Sequence, residues 1–414
     1  MDIFVYADWE HVKGPALIGT LSVVHTKGHQ VISFEYDKEW ISQGIAQNLD
    51  PDLQFFAGPQ YLGKDKANFG VFMDSSPDRW GKTLMDRREA IIARKEDRKP
   101  KKLFEEDYLL GVYDAYRMGG LRFKVPGNDE FQHEDKGLTA PPWTSLRELE
   151  NASVELENDM LKDLDALKWI NMLIAPGASL GGARPKASVV DEKGHLWIAK
   201  FPSVKDTHNV GGWEMVVNEL ATRAGIAIAD GIVRQYNSEH LTYLSKRFDR
   251  TSKGARVHFA SAMTLIGHTD GAAGVSYLDL AEFIMQQGAS PGPDLEQLWR
   301  RIVFYIAIKN TDDHLRNHGF LLTESGWQLS PAYDVNPIYF GTGLSLNISV
   351  TDNSLDFDLA VSVAKYFRLT DSQAASIIDQ TKKVVSDWPK LADKYQISSK
   401  EKDMMVAAFE LATA

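Results

Sequence analysis

The run KNTDDHLRNHGF, residues 309–320, directly follows an apolar stretch and holds an aspartate and an asparagine five positions apart, Asp312 and Asn317. That pairing suits phosphoryl transfer. The aspartate can take the proton of an attacking hydroxyl while the asparagine amide oxygen reaches a magnesium ion that bridges phosphates. Arg316 stands where it could neutralise charge on the group in transit. Further on, QLSPAYDVNP brings Asp334 onto the loop after an expected β-hairpin, the place for a second magnesium ligand. Asn336 reads either as a further ligand or as an Asn-Pro turn. Asp313 is a second carboxylate beside the base, although one base suffices, and His314 reads as an orienting or packing residue.

A second set lies upstream. In PGASLGGARPKASVV, Gly177, Gly181 and Gly182 bracket Ser179 just before a strand, so that main-chain N–H groups could approach phosphate oxygens closely, with Arg184 and Lys186 adding charge. Taken alone the segment fits an ordinary turn as well, since it is neither a Walker A nor the spacing of a kinase glycine loop. Lys200 ends the apolar run HLWIAKF, either as a solvated strand tip or as the lysine that binds the α- and β-phosphates of ATP. A helical run follows with Glu214 or Glu219 as ion-pair partner. Glu214 is preferred, because Trp213, Val216, Val217 and Leu220 would form the buried face and leave position 214 at its edge. Glycine loop, small sheet with one helix, then a helical half is the layout of a bilobal kinase, and the Asp312–Asn317 interval is that of the kinase catalytic loop H-R-D-L-x-x-x-N.

The elements that must carry these residues are legible from period and composition. The 414 residues allow two or three domains, and 43% hydrophobic with 25% charged residues describes a compact globular chain. The net charge of −11 disfavours a surface that coats nucleic acid, and the absence of cysteine excludes disulfides, thiol catalysis and Cys-ligated metals. The histidines form no H-E-x-x-H motif, so a zinc site is not expected. The start lacks the pattern of a signal peptide and no apolar run is long enough to span a membrane, so the chain is expected to be cytoplasmic and untethered. IFVYADW, ALIGTLSVV and QVISFEY alternate as short antiparallel strands, and the basic run from Arg87 to Lys102 reads as a solvated helix face or a docking surface for an acidic partner. Residues 126–143, rich in Pro, Gly and charge, mark a linker. ASVV and HLWIAKF form a hairpin. In DLEQLWRRIVFYIAIKN the residues Leu295, Leu298, Trp299, Ile302, Val303 and Ile306 share one helical stripe that faces a core. Thr370 and Asp371 are placed to cap a later helix.

In their order along the chain, SLGGARPK, IAKFP, LSKRFDR, NTDDHLRNHGF and SPAYDV resemble the HipA family of bacterial serine/threonine kinases, the toxins of type II toxin–antitoxin pairs. SFEYDKEW and SPDRWG resemble the small β-rich subdomain that precedes the kinase core there. The resemblance implies an α+β fold, a bilobal protein-kinase-like one. A β-rich subdomain would span 1–125 and a linker 126–144; the kinase N-lobe would span 145–255 and an all-helical C-lobe 256–414. It implies ATP and Mg²⁺ as cofactors, bound between the lobes, and transfer to a protein Ser or Thr. Asp312 matches the catalytic base, aided by Arg316; Asn317 and Asp334 match the metal ligands, and Lys200 with Glu214 the ATP lysine and its partner. Ser179 matches a self-phosphorylated serine in a phosphate loop that includes Leu180, Gly181, Gly182 and Ala183, and self-phosphorylation there would be inhibitory. Arg247 and Phe248 fall in the hinge, the Phe248 main chain meeting adenine. Lys246 stands where the best-known members carry an acid, and the loop is more basic than theirs. A HipB-like helix-turn-helix antitoxin is the implied partner and would make most of the contact with operator DNA; no membrane partner is implied. A small-molecule phosphotransferase of the aminoglycoside-kinase type shares the Asp–Asn interval and is the alternative, and a pseudokinase that only binds its antitoxin is a further one.

Overall fold

The computed structural model of the chain describes residues 1–26, 29–43, 48–63, 66–132, 141–158, 163–174 and 184–413. Two compact units emerge, one of Met1–Val204 with Arg247–Thr269 and one of Lys205–Lys246 with Asp270–Ala414. The described residues 126–132 and 141–144 fall in the first unit, and the described residues of 145–255 are divided between the two.

The first unit opens with β1 (Asp2–Ala7), β2 (Ala16–Thr26) and β3 (His29–Tyr36), whose alternation puts Ile3, Val5, Leu21, Val23, Ile32 and Phe34 into one core. A short helix α1 (Lys38–Ser42), capped by Asp37, and β4 (Gln60–Tyr61) follow. Next come α2 (Gly70–Asp74), α3 (Arg79–Lys95), α4 (Glu105–Leu110) and β5 (Leu121–Lys124), which completes an antiparallel sheet in the order β4-β3-β2-β1-β5. Helices α5 (Leu146–Glu157) and α6 (Asp163–Ile174) lead to β6 (Lys186–Val190) and β7 (Leu196–Lys200), the expected hairpin.

The segment SPDRWG, residues 76–81, explains why the β-rich part and this hairpin form one unit. Asp78 caps α3, accepting from the Gly81 N–H at 2.9 Å, while its other oxygen takes the Lys186 ammonium at 2.6 Å. A Cβ at Gly81 would stand 2.7 Å from the Pro77 Cβ, so the tight entry to the helix needs glycine. Both charged side chains are at least 96% buried, so the Lys186 ammonium is held inside the unit by Asp78. Removing one partner strands the other charge away from water. Asp78→Ala is therefore expected to destabilise this unit by about 3–5 kcal/mol in urea unfolding, more than a lost helix cap alone would cost.

The second unit begins with α7 (Val210–Arg223) and the hairpin of β8 (Gly231–Arg234) and β9 (Thr242–Lys246). The chain then returns to the first unit with β10 (Phe259–Ser261) and α8 (Ala262–Leu265). Helices α9 (Tyr277–Gln287) and α10 (Pro291–Ile308) precede the hairpin β11 (Gly319–Thr323) and β12 (Gly326–Leu329). Finally come α11 (Phe357–Val363), α12 (Asp371–Val385), α13 (Trp388–Lys394) and α14 (Ser399–Thr413). All six residues of the stripe read on α10 are fully buried, and α9, α12 and α14 pack around that helix. At about 1.5–3 kcal/mol for each large apolar side chain, α10 is the unit's main anchor. Thr370 caps α12 with Gln373 in a reciprocal box, as its sequence suggests. Among the described residues no helix is long and apolar enough to cross a membrane.

Candidate active site

The buried helix α10 stops at Lys309, whose left-handed backbone (φ 48°, ψ 49°) turns the chain sharply, and the Lys309 ammonium bonds Glu410 of α14 at 2.6 Å. The polar run thus starts from a fixed point in the core. A 3₁₀ turn at Leu315–Asn317 closes it, with the Asn317 N–H donating to the His314 carbonyl at 2.8 Å. The Asn317 amide Nδ2 then donates to the Asp312 main-chain oxygen at 3.1 Å, tying base and amide together. This leaves Asn317 Oδ1 buried without a hydrogen-bond partner among the described residues.

The Asp312 side chain is exposed. Its carboxyl is pushed above the usual range, first by partial desolvation and then by the charges of Asp334 and Asp313, against the opposing pull of His314. Asp334 therefore stands within Coulombic reach of Asp312. It is positioned from two sides. The residue two before it, Ala332, is pinned by main-chain bonds to Ala227 at 2.8 Å and Ala229 at 3.0 Å, and the Tyr333 hydroxyl donates to the Arg316 carbonyl at 2.6 Å. Asp334 itself adopts φ 56°, a left-handed conformation that costs a non-glycine residue about 1–2 kcal/mol. The Asn336 N–H donates to Asn310 Oδ1 at 3.3 Å, and Asn336 Oδ1 is also buried without a partner.

Arg316 is half-buried and faces the exposed Asp270 at 3.4 Å. A surface pair of this kind is worth about 0–1 kcal/mol, so Asp270 holds Arg316 only weakly. Glu214 is not at the edge of α7 but buried within it, so helical periodicity alone misplaces it. The phenol of Tyr243, on β9, is pushed well above its ordinary value by burial, then by Glu214, with Asp334 adding to the effect. One phenol thus lies in the field of both carboxylates.

In the first unit Lys200 ends β7 and is 8% exposed, so it is not a solvated tip. The Arg247 N–H donates to the Leu196 carbonyl at 2.9 Å, which sets residue 247 beside β7. Its guanidinium turns inward to Asp249 Oδ1 at 2.8 Å and to the carbonyl of Arg117 at 3.1 Å, a structural tie within the first unit. Burial alone would raise the Asp249 carboxyl; Arg247 and Arg250 hold it well below the usual carboxylate range. Phe248 packs against Phe259, ring centroids 6.0 Å apart. Ser179, Leu180, Gly181, Gly182 and Ala183 lie outside the described residues.

The donors fit Mg²⁺. Two oxygen ligands, an unpartnered amide oxygen and a carboxylate, are the kind a hard cation takes when phosphates and water fill the remaining positions. Among the described residues no cluster of three His, Asp or Glu side chains could hold a metal unaided. Sequence reasoning missed Tyr277 and His318, which bond Asp313 from either side. The doublet Asp312–Asp313 followed by His318 was the only sign of it.

Residues 178–388 match the family described as HipA-like C-terminal domain. Over 180 residues the chain is 26% identical to a Haemophilus influenzae protein described as "Putative kinase", covering 38% of this chain; the chain spans about half of that relative, 52% of its length. Its fold is similar to that of HipA from Shewanella oneidensis MR-1, solved with HipB and operator DNA, with a TM-score of 0.68 and 15% identity over 99% of this chain and 95% of that one. A more distant likeness, TM-score 0.37 at 14% identity, covers 55% of this chain and 94% of the Helicobacter pylori proinflammatory kinase CtkA.

Proposed function

The chain belongs to the HipA-like C-terminal domain family, and from that premise we propose that it is an ATP- and Mg²⁺-dependent serine/threonine protein kinase, the toxin of a toxin–antitoxin pair. The observation that carries the reading is the pairing of Asn317 Oδ1, buried and unpartnered, with two carboxylates, Asp312 and Asp334, in each other's field. Two acids held so close are mutually repulsive at rest, a cost that a cation beside Asp334 relieves. Asp312, exposed and with a raised carboxyl pKa, is suited to take the acceptor hydroxyl's proton. Asn317 and Asp334 orient the metal. Arg316, released from Asp270, meets the transferring charge. Lys200 is the nucleotide-phosphate lysine of this reading. When bound, Mg²⁺ supplies neutralisation of charge on the phosphate oxygens.

The serine of the glycine-rich segment, Ser179, is the self-phosphorylated residue in this reading, and a dianion there would compete with nucleotide for the loop's N–H groups. The partner is a small helix-turn-helix antitoxin. The fold likeness to a HipA solved with HipB and DNA supports looking for one, and the net charge of −11 leaves most DNA contact to that partner. The test is incubation of the protein with Mg-ATP, with phosphosites mapped by mass spectrometry in wild type, Ser179→Ala and Lys200→Ala. Phosphate at Ser179 is expected in the wild type only. No phosphorylation of any kind, with no Mg-dependent nucleotide binding by calorimetry, would sink the kinase reading; phosphate only at other sites would remove Ser179 from it.

A further inference from the structure

Directly behind the loop lies a buried polar cluster that the proposed chemistry leaves unused. Asp313 is wholly buried, although it follows the exposed Asp312. Its Oδ2 accepts from two sides: the Tyr277 hydroxyl of α9, and His318 Nε2 at 2.8 Å. His318 is also fully buried, with its ring edge-on to Tyr277 at 5.7 Å between centroids. Arg301 and Tyr305, both on α10 and both buried, lie in the field of the same carboxylate. A charge this deep is tolerated only where partners are fixed around it.

Position gives the cluster its meaning. Asp313 is the residue after the base and His318 the residue after the metal-binding amide. Their bond therefore joins the two ends of the five-residue interval between Asp312 and Asn317 and fixes the pair to α9. We propose that Asp313, Tyr277 and His318 form a clasp that holds Asp312 and Asn317 at their working separation, so that Asp313 is a positioning residue for the metal and the base. This rests on the kinase reading. The part-buried tie from Asn317 Nδ2 to the Asp312 carbonyl is a single neutral bond, which fixes the amide at one point only. The clasp supplies the second fixed point through a charge-assisted, water-free bond. It also explains why so polar a run follows an apolar helix: its second acid faces inward, and its first faces out.

The test pairs Asp313→Asn and Tyr277→Phe with wild type in two measurements. In hydrogen exchange without metal or nucleotide, residues 312–318 are expected to exchange about 10-fold or more faster in the variants, with α10 unchanged. In calorimetry with a non-hydrolysable ATP analogue, the gain in affinity on adding Mg²⁺ is expected to fall about 10- to 100-fold in Asp313→Asn and less in Tyr277→Phe, with metal-free affinity unchanged. His318→Gln, which keeps a donor, should retain more of the gain than His318→Ala. If Asp313→Asn does not fold, Tyr277→Phe, which removes one oxygen, decides. Wild-type exchange rates and wild-type Mg²⁺ dependence in a folded variant overturn the clasp. A wild type that binds no nucleotide overturns the kinase reading, while the exchange measurement still reports on the clasp.

Discussion

Asp312→Asn is expected to lower the rate of phosphoryl transfer by about 10²–10⁴-fold, the contribution of a positioned general base, with nucleotide affinity little changed. The carboxylate is exposed and takes no hydrogen bond from a described residue, so its loss removes no packing. Unfolding free energy should stay within about 0.5 kcal/mol of wild type, as for other exposed positions. Single-turnover phosphorylation measured beside urea unfolding separates the two quantities. A variant that transfers phosphate at the wild-type rate would move the base elsewhere, Asp313 being excluded by its burial and its two bonds.

The second large effect belongs to Asp334, where function and backbone preference oppose each other. Its left-handed φ of 56° is one that glycine adopts freely and aspartate does not. Asp334→Gly is expected to leave stability within about 1 kcal/mol of wild type, relief of strain offsetting the greater freedom of the unfolded chain. The same change should cost at least about 10²-fold in Mg²⁺-dependent nucleotide affinity, since a first ligand matters no less than its supporting residues. Asn317→Ala should match the metal loss. Unlike Asp334→Gly, it also breaks the bond to the Asp312 carbonyl and should loosen the loop. Unchanged Mg²⁺ dependence in both variants would place the metal elsewhere.

What can be read from sequence is what depends on local spacing. The strand alternation in residues 2–36, the hairpin 186–200, the stripe on α10 and the cap at Thr370 all stand as their patterns suggest. The Asp312–Asn317 interval has its physical reason in the bond between them. Long-range charge pairing is not legible. Lys186 reads as a phosphate ligand because its partner, Asp78, lies 108 positions away. Arg247 reads as a hinge contact because the carbonyls it binds are near residue 117. Helical period assigns Glu214 to an edge since periodicity weighs apolar character and cannot see a buried carboxylate. Asp313 reads as a spare acid for a similar reason: its partners Tyr277 and His318 flank it only in three dimensions.

The arginines between residues 247 and 256 have a consequence for dissecting the chain. Arg247, Arg250 and Arg256 reach the carbonyls of Asp114, Ala115, Arg117 and Gly119 and the carboxylate of Asp114. Arg117 is itself sealed inside, donating to the Ser75 carbonyl at 2.7 Å. Discarding the chain before residue 126 would strip three guanidinium groups of the carbonyl and carboxylate acceptors that hold them and open their sites to water. The front portion thus supplies hydrogen-bond acceptors to residues 247–256 of the same unit, which would lose part of its interior without it.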